Sequence, residues 1–169
     1  MPKQIKKQQM SPKERTNRIC AIISLICSII LAALIIFILP SLTKSPGVPK
    51  ALLITVGYVL FTASCVVHCT TSFKFYFATD SFTGVFHGVL SFLSALFCLF
   101  NLRFVLVMLF SAMGSTSAAK AVVGSKTMTE FTQSQLPSWI CMLIALIFMT
   151  TIGVLGIIRI VADKRDTKS

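Results

Sequence analysis

The chain has 169 residues, of which 55% are hydrophobic and only 12% are charged, and its mean hydropathy is +0.86. This composition excludes an ordinary water-soluble domain and is typical of an integral membrane protein. The net charge of +11 would suggest nucleic-acid binding in a soluble protein. Ten of the sixteen basic residues, however, lie in the two tails beside apolar segments, so we expect attraction to anionic lipid headgroups and no nucleic acid partner.

The first 18 residues form a basic segment that we interpret as a cytoplasmic tail. At its end, Ser11-Pro12-Lys13-Glu14 has the form of a helix-capping box, with serine as the N-cap, proline at the first helical position and glutamate at the third. The same Ser-Pro pair is an alternative phosphorylation site. Because an apolar helix follows directly, the pattern favours the cap.

The first predicted span runs over residues 19–39 and is expected to stop at Pro40. Ser24 and Ser28 lie on one side of this helix and predict a small-residue packing face. Cys20, beside a basic residue at the membrane edge, is a candidate lipidation site, although a cysteine there also serves as a small apolar residue.

A second span is predicted over residues 51–73, after a turn at residues 40–50 that contains three prolines and a glycine. Small and polar residues share one side of this helix: Thr55, Tyr58, Thr62, Cys65, Cys69 and Ser72. Residues 74–81, which include three consecutive aromatic residues, are predicted to form a short hairpin at the membrane interface.

The third span, residues 82–110, contains Arg103 as its only charge. Small and polar residues repeat at steps of three and four along one side: Gly84, His87, Gly88, Ser91, Ser94, Ala95, Cys98 and Asn101. The Gly84/Gly88 pair has the Gly-x-x-x-Gly form that lets helix backbones approach closely in lipid. Bulky residues on another side, Phe86, Leu90, Leu93, Phe97, Phe100 and Phe104, are expected to face lipid.

Residues 111–135 are small and polar and are predicted to be the one sizeable loop, with at most a short surface helix at residues 118–123 and nothing able to bury a core. A fourth span follows over residues 139–161, in which Gly153 and Gly156 mark a close-packing side. Residues 162–169 form a second charged cytoplasmic tail.

The distribution of basic residues predicts the orientation. Eleven lie in the tails and at Lys74, and four lie on the other side, with Arg103 unassigned. Basic residues are enriched on the cytoplasmic side of membrane proteins. The predicted fold is therefore an all-α four-helix transmembrane bundle with both termini cytoplasmic.

Several polar residues inside the spans are candidates for chemistry. His68 and His87 lie at similar depth in neighbouring helices, close to Cys65 and Cys69. Two thiolates and two imidazoles form a zinc set, but the site lacks carboxylates to orient its ligands, so we expect no metal and no cofactor.

Asn101 and Arg103 are the other intramembrane polar candidates. Arg103 either lines a path or extends to the headgroups, and its position near the end of the helix favours the headgroups. All five carboxylates lie in tails or loops, which argues against an acid–base enzyme.

The hairpin of residues 19–39, a short proline-rich turn and residues 51–73 resembles the bilobed hydrophobic domain of chlamydial inclusion membrane proteins, within a general four-span architecture. The resemblance implies a pathogen vacuole membrane. The expected function is a non-enzymatic membrane organiser or scaffold that binds itself or other membrane proteins. The alternative is a subunit of a small oligomeric channel.

Overall fold

The computed structural model describes residues 11–44, 47–124 and 128–166. These residues form helices and connecting turns, with no strand among them. Four helices are long and two are short: α1 (Pro12–Lys44), α2 (Val48–Thr79), α3 (Phe82–Ala112), α4 (Thr116–Val123), α5 (Met128–Ser134) and α6 (Leu136–Asp166). The fold is therefore all-helical, as the sequence predicted.

The beginning of α1 follows the predicted cap, but its end does not follow the predicted stop. The backbone N–H of Glu14 donates to Ser11 Oγ at 3.1 Å, which satisfies one of the free donors of the first turn. The helix then passes through Pro40 and ends at Lys44, so the prediction that Pro40 ends it was wrong. A proline removes only one donor, and here it does so near the end of a long helix.

The predicted hairpin at residues 74–81 was also wrong, because α2 continues through this segment to Thr79. The turn is only Asp80 and Ser81. Asp80 adopts the left-handed conformation, with φ 49° and ψ 31°, and its N–H donates to the Tyr76 carbonyl. Aspartate tolerates this conformation better than most residues, so one residue ends α2 and α3 begins at once.

The long helices pack in a ring in which α1 contacts α2, α2 contacts α3, α3 contacts α6 and α6 contacts α1. We call the end formed by the start of α1, the end of α2, the start of α3 and the end of α6 the charged end. A bond between Asn17 and Ser72 and an ion pair between Glu14 and Arg159 join the helices there. The opposite end carries α4 and α5.

The four long helices are apolar outside and partly polar inside. Four segments are long and apolar enough to cross a membrane: Pro12–Pro40, Val48–Thr79, Phe82–Ala112 and Leu136–Arg165. Their outer surfaces carry large exposed side chains, such as Phe37 at 78% and Phe82 at 80% exposure, while serine, histidine and asparagine side chains are buried. Water-soluble proteins do not show such extensive apolar surfaces, so this distribution indicates a multi-pass membrane protein.

The segment between α3 and α6 buries more than the sequence suggested. Val123 of α4 and Phe131 of α5 are buried against Val107 of α3, with Phe104 and Val122 packed around them. The expectation that nothing in this segment could bury a core was therefore wrong. Its short helices cover the end of α3 with a small apolar cluster.

This cover changes the environment of the predicted lipid face of α3. Phe86 and Phe100 are exposed, as expected. Phe97 instead packs against the main core, and the Phe104 ring lies 4.9 Å from the Trp139 ring in an edge-on arrangement. The prediction that Phe97 and Phe104 face lipid was wrong, because neighbouring helices cover that part of α3.

Candidate functional site

The charged end contains a buried polar cluster that links α1, α2 and α3. Ser72 donates to Asn17 Oδ1 at 2.7 Å, and Thr71 also donates to it, at 3.3 Å. Ser72 Oγ lies 3.4 Å from His68 Nε2, and the rings of His68 and His87 are 5.8 Å apart, inclined at 44°. We call Asn17, His68, Ser72 and His87 the polar cluster.

Several buried atoms of this region have no hydrogen-bond partner among the described residues. They are Asn17 Nδ2, His68 Nδ1, His87 Nδ1 and, in the adjacent turn of α1, Arg18 Nε. Buried polar atoms are usually hydrogen-bonded, since a missing bond costs about 1–3 kcal/mol. The interior of the charged end therefore contains more polar atoms than the hydrogen bonds between its helices use.

A cleft of about 640 Å³ opens at the charged end, and residues from all four long helices line it: Ser11, Glu14, Arg18, Phe75, Thr79, Ser81, Thr83 and Arg159. We call this cleft the mouth. The Glu14 carboxylate lies 3.7 Å from Arg18 Nη2 and 3.8 Å from Arg159 Nε. Arg18 is only 7% exposed, so a guanidinium group is buried beside this cleft.

The predicted small-residue faces all lie between helices of the same chain. A Cβ added at Gly84 would lie 3.0 Å from the Tyr76 backbone, and one at Gly88 would lie 3.1 Å from the Phe73 ring. At Gly153 it would overlap Leu25, and at Gly156 it would lie 3.2 Å from Ala21 Cβ. These glycines therefore bring α2 close to α3, and α1 close to α6.

The predicted serines are buried in the same way. Ser24 Oγ donates to the Cys20 carbonyl at 3.0 Å and to the Ser64 carbonyl of α2 at 3.3 Å. Ser28 and Ser91 donate to carbonyls one turn earlier in their own helices. Small hydroxyl side chains of this kind satisfy themselves locally while a neighbouring helix packs over them.

Asn101 and Arg103 lie near the opposite end and make different contacts. Asn101 Nδ2 donates to the Ser138 carbonyl at 2.8 Å, which joins α3 to the first turn of α6. Arg103 is exposed and donates to the Val122 carbonyl at 2.7 Å, in the last turn of α4. A cation is favourable at a helix C-terminus, so Arg103 holds α4 against α3 and does not face the interior.

The cysteines and histidines do not converge on one point. No group of three or more histidine, cysteine, aspartate or glutamate side chains is arranged to hold a metal ion in the described part of the chain. The Cys65 thiol contacts Cys98 of α3, whereas Cys69 is half-buried. Cys20 is also half-buried, and its lipidation stays a prediction.

The middle of the helix ring is filled by side chains. Phe61, Leu31, Met142 and Met149 are almost completely inaccessible, and Tyr58 donates its hydroxyl to the Cys98 carbonyl across α2 and α3. These side chains separate the polar cluster at the charged end from Asn101 at the opposite end. Side chains of a single copy therefore occupy the centre of the ring between its two polar ends.

Sequence reasoning missed Asn17 and Arg18 as interior residues. Both were assigned to the tail, yet α1 begins at Pro12 and both are buried. A signal was present, because residues 17, 21, 24 and 28 follow helical steps of four, three and four. Extending the stripe of Ser24 and Ser28 back to the predicted cap would have included Asn17.

Comparison with protein-family models, curated proteins and solved structures found no significant match for this chain. The resemblance to chlamydial inclusion membrane proteins therefore stays a prediction.

Proposed function

We propose that this chain is a non-enzymatic four-span membrane protein with both termini in the cytoplasm, and that it organises the membrane around its charged end. The observation that carries the proposal is the combination of an apolar outer surface and a side-chain-filled centre. An apolar exterior suits lipid, and a centre packed with side chains argues against transport through a single copy. We therefore infer that the protein acts through the molecules that its surfaces bind.

The surface that favours lipid organisation is a groove between α1 and α2 at the charged end. It is lined by Lys13, Thr16, Thr71, Lys74, Phe75, Phe77 and Ala78. Lys13 and Lys74 are exposed, and Phe77 is an exposed aromatic residue beside them. The lysines complement the negative headgroup of an anionic phospholipid, and the aromatic and apolar lining of the groove complements its apolar chains.

Self-association through the small-residue stripes, which the sequence suggested, has less support. Gly84, Gly88, Gly153 and Gly156 are already packed against other helices of the same chain. A second copy or another membrane protein would therefore contact the outer apolar residues or the charged end. An oligomeric channel is similarly less favoured, because Asn101 and the two histidines face helices of their own chain.

Energy transfer between labelled protein and fluorescent lipid tests the organising role. The full-length protein in vesicles should show more transfer to fluorescent phosphatidylglycerol than to fluorescent phosphatidylcholine. Replacing both Lys13 and Lys74 by glutamine should weaken this preference, because each basic residue near an anionic surface contributes about 1 kcal/mol. The matched control replaces Lys50 and Lys120, which lie at the opposite end, and should keep the preference.

Ion flux from the same vesicles tests the channel alternative. We expect dye or ion release no faster than from vesicles without protein. Flux that depends on protein density and is abolished by Asn101→Leu would replace the organiser proposal with the channel. Equal energy transfer to both lipids, with no effect of the lysine changes, would also contradict the proposal.

A further inference from the structure

The strongest unassigned feature is the mouth at the charged end, where two guanidinium groups face one carboxylate. Arg18 and Arg159 both lie near Glu14, at 3.7 and 3.8 Å. Direct hydrogen bonds between such charged groups are about 2.7–2.9 Å long. The Glu14 carboxylate therefore offsets only one of the two positive charges, and it does so without a direct hydrogen bond. The two arginines and the glutamate together keep a net positive charge.

The burial of Arg18 makes this excess charge significant. The side chain lines the mouth, the residue is only 7% exposed, and its Nε has no hydrogen-bond partner among the described residues. A buried cation costs several kcal/mol unless it is paired and its donors are satisfied. An anion in the mouth would offset this uncompensated positive charge.

The backbone at the start of α3 provides a second set of donors beside the mouth. Ser81 is the N-cap of α3 but makes no side-chain hydrogen bond to the first turn of that helix. Both Ser81 and Thr83 line the mouth. The start of a helix carries free N–H groups and a partial positive charge, which together favour a bound anion. The start of α1, by contrast, is already capped by Ser11.

We propose that the mouth binds a phosphate group, held between the guanidinium groups of Arg18 and Arg159 and the first N–H groups of α3. Guanidinium groups match the geometry of phosphate oxygens with paired donors. The hydroxyls of Ser11, Thr79, Ser81 and Thr83 surround the same space. A cleft of about 640 Å³ accommodates a phosphate with an attached organic group. This site borders the lysine groove at Phe75 but shares none of its charged residues, and it does not depend on the organising role.

Binding of radiolabelled inorganic phosphate to the full-length protein in a neutral detergent tests the site, at constant ionic strength. We expect saturable binding of one phosphate per chain. Arg159→Gln should weaken it by about tenfold or more, since one charge-assisted contact is lost. Arg159 is largely exposed, with 59% of its side chain accessible, so its loss should leave the protein folded. Glu14→Gln should strengthen phosphate binding, because it removes the competing carboxylate.

The matched control is Arg165→Gln, which makes the same charge change on α6 at an exposed residue outside the mouth. It should leave phosphate affinity unchanged. Absence of saturable binding would overturn the proposal. Equal weakening by Arg159→Gln and Arg165→Gln would also overturn it, because that result reports diffuse attraction to the charged end.

The source of the phosphate group is distinguished by repeating the measurement in lipid nanodiscs with and without phosphatidic acid. Phosphate binding that is equal in both indicates a soluble phosphorylated ligand. Phosphate binding that is lost when phosphatidic acid is present indicates that a lipid headgroup occupies the mouth. Either result supports a phosphate site in the mouth.

Discussion

Replacing Gly153 by alanine should destabilise the contact between α6 and α1 by about 2 kcal/mol. The added Cβ would overlap Leu25 Cβ and lie 3.0 Å from the Ala21 carbonyl oxygen. Both atoms are at backbone level, so the helices must separate for the methyl group to fit. Overpacking of this kind costs about 1–3 kcal/mol, whereas alanine gains about 0.5–1 kcal/mol over glycine within a helix. The overpacking cost lies in the upper part of its range here, because no side-chain rotation relieves the contact.

Gly57→Ala is the matched control, since it makes the same change in the middle of another long helix. Its Cβ would lie 2.5 Å from Leu34 Cδ1, which is the end of a flexible side chain. Rotating Leu34 away costs about 0.5–1.5 kcal/mol, and the helix preference of alanine offsets most of this cost. We expect the free energy of unfolding to change by less than about 1 kcal/mol.

The assay is unfolding by sodium dodecyl sulfate in mixed micelles. Helix content is followed by circular dichroism and packing by the fluorescence of Trp139, the only tryptophan of the chain. A Gly153→Ala protein as stable as wild type would refute the backbone-close contact of α1 and α6. Equal destabilisation by the two substitutions would show that side-chain flexibility does not decide the cost.

Three further predictions concern topology, the packing of α3 and metal content. Reporter fusions at residues 1 and 169 should be detected on the same side of the membrane, and opposite sides would contradict the four-span proposal. Phe97→Ala should lower the free energy of unfolding by about 2 kcal/mol, because Phe97 packs against the core. Phe100→Ala is its control and should change it by less than about 0.5 kcal/mol, since Phe100 is 62% exposed; a larger loss at Phe100 would reverse the assignment of faces. Metal analysis of purified protein should find less than one zinc per chain, and stoichiometric zinc that is lost in His68→Ala would contradict this expectation.

The sequence predicted those structural features that depend on residues close together in the chain. The four apolar segments, the Ser11 cap and the small-residue stripe of α3 follow from length, capping preference and helical spacing. The stripe also identified His87, Gly88, Ser91 and Asn101 correctly as buried residues. These features needed no knowledge of which helix would pack against which.

Local sequence preferences did not predict where α1 and α2 end, because both helices continue past the expected ends at Pro40 and Lys74. Both lie where sequence preferences for ending a helix compete with packing of a neighbouring helix. Phe75 is 5% exposed in the structure, so extending α2 past Lys74 buries an aromatic residue that a hairpin would leave at the surface. Such a gain depends on the position of another helix, which the local sequence does not contain.

By itself, the sequence determined that the chain is all-helical and apolar enough to cross a membrane four times, because these properties depend on composition and on spacing within single segments. Only the tertiary structure decided how the polar residues are used. It buried Arg18 beside Glu14 and Arg159, although Glu14 and Arg159 lie 145 positions apart in the chain. It also directed Arg103 outward onto α4. The physical reason is that the energy of a charge in an apolar surrounding depends on which partner or solvent lies within a few ångströms of it, and the order of the helices in the ring sets that distance.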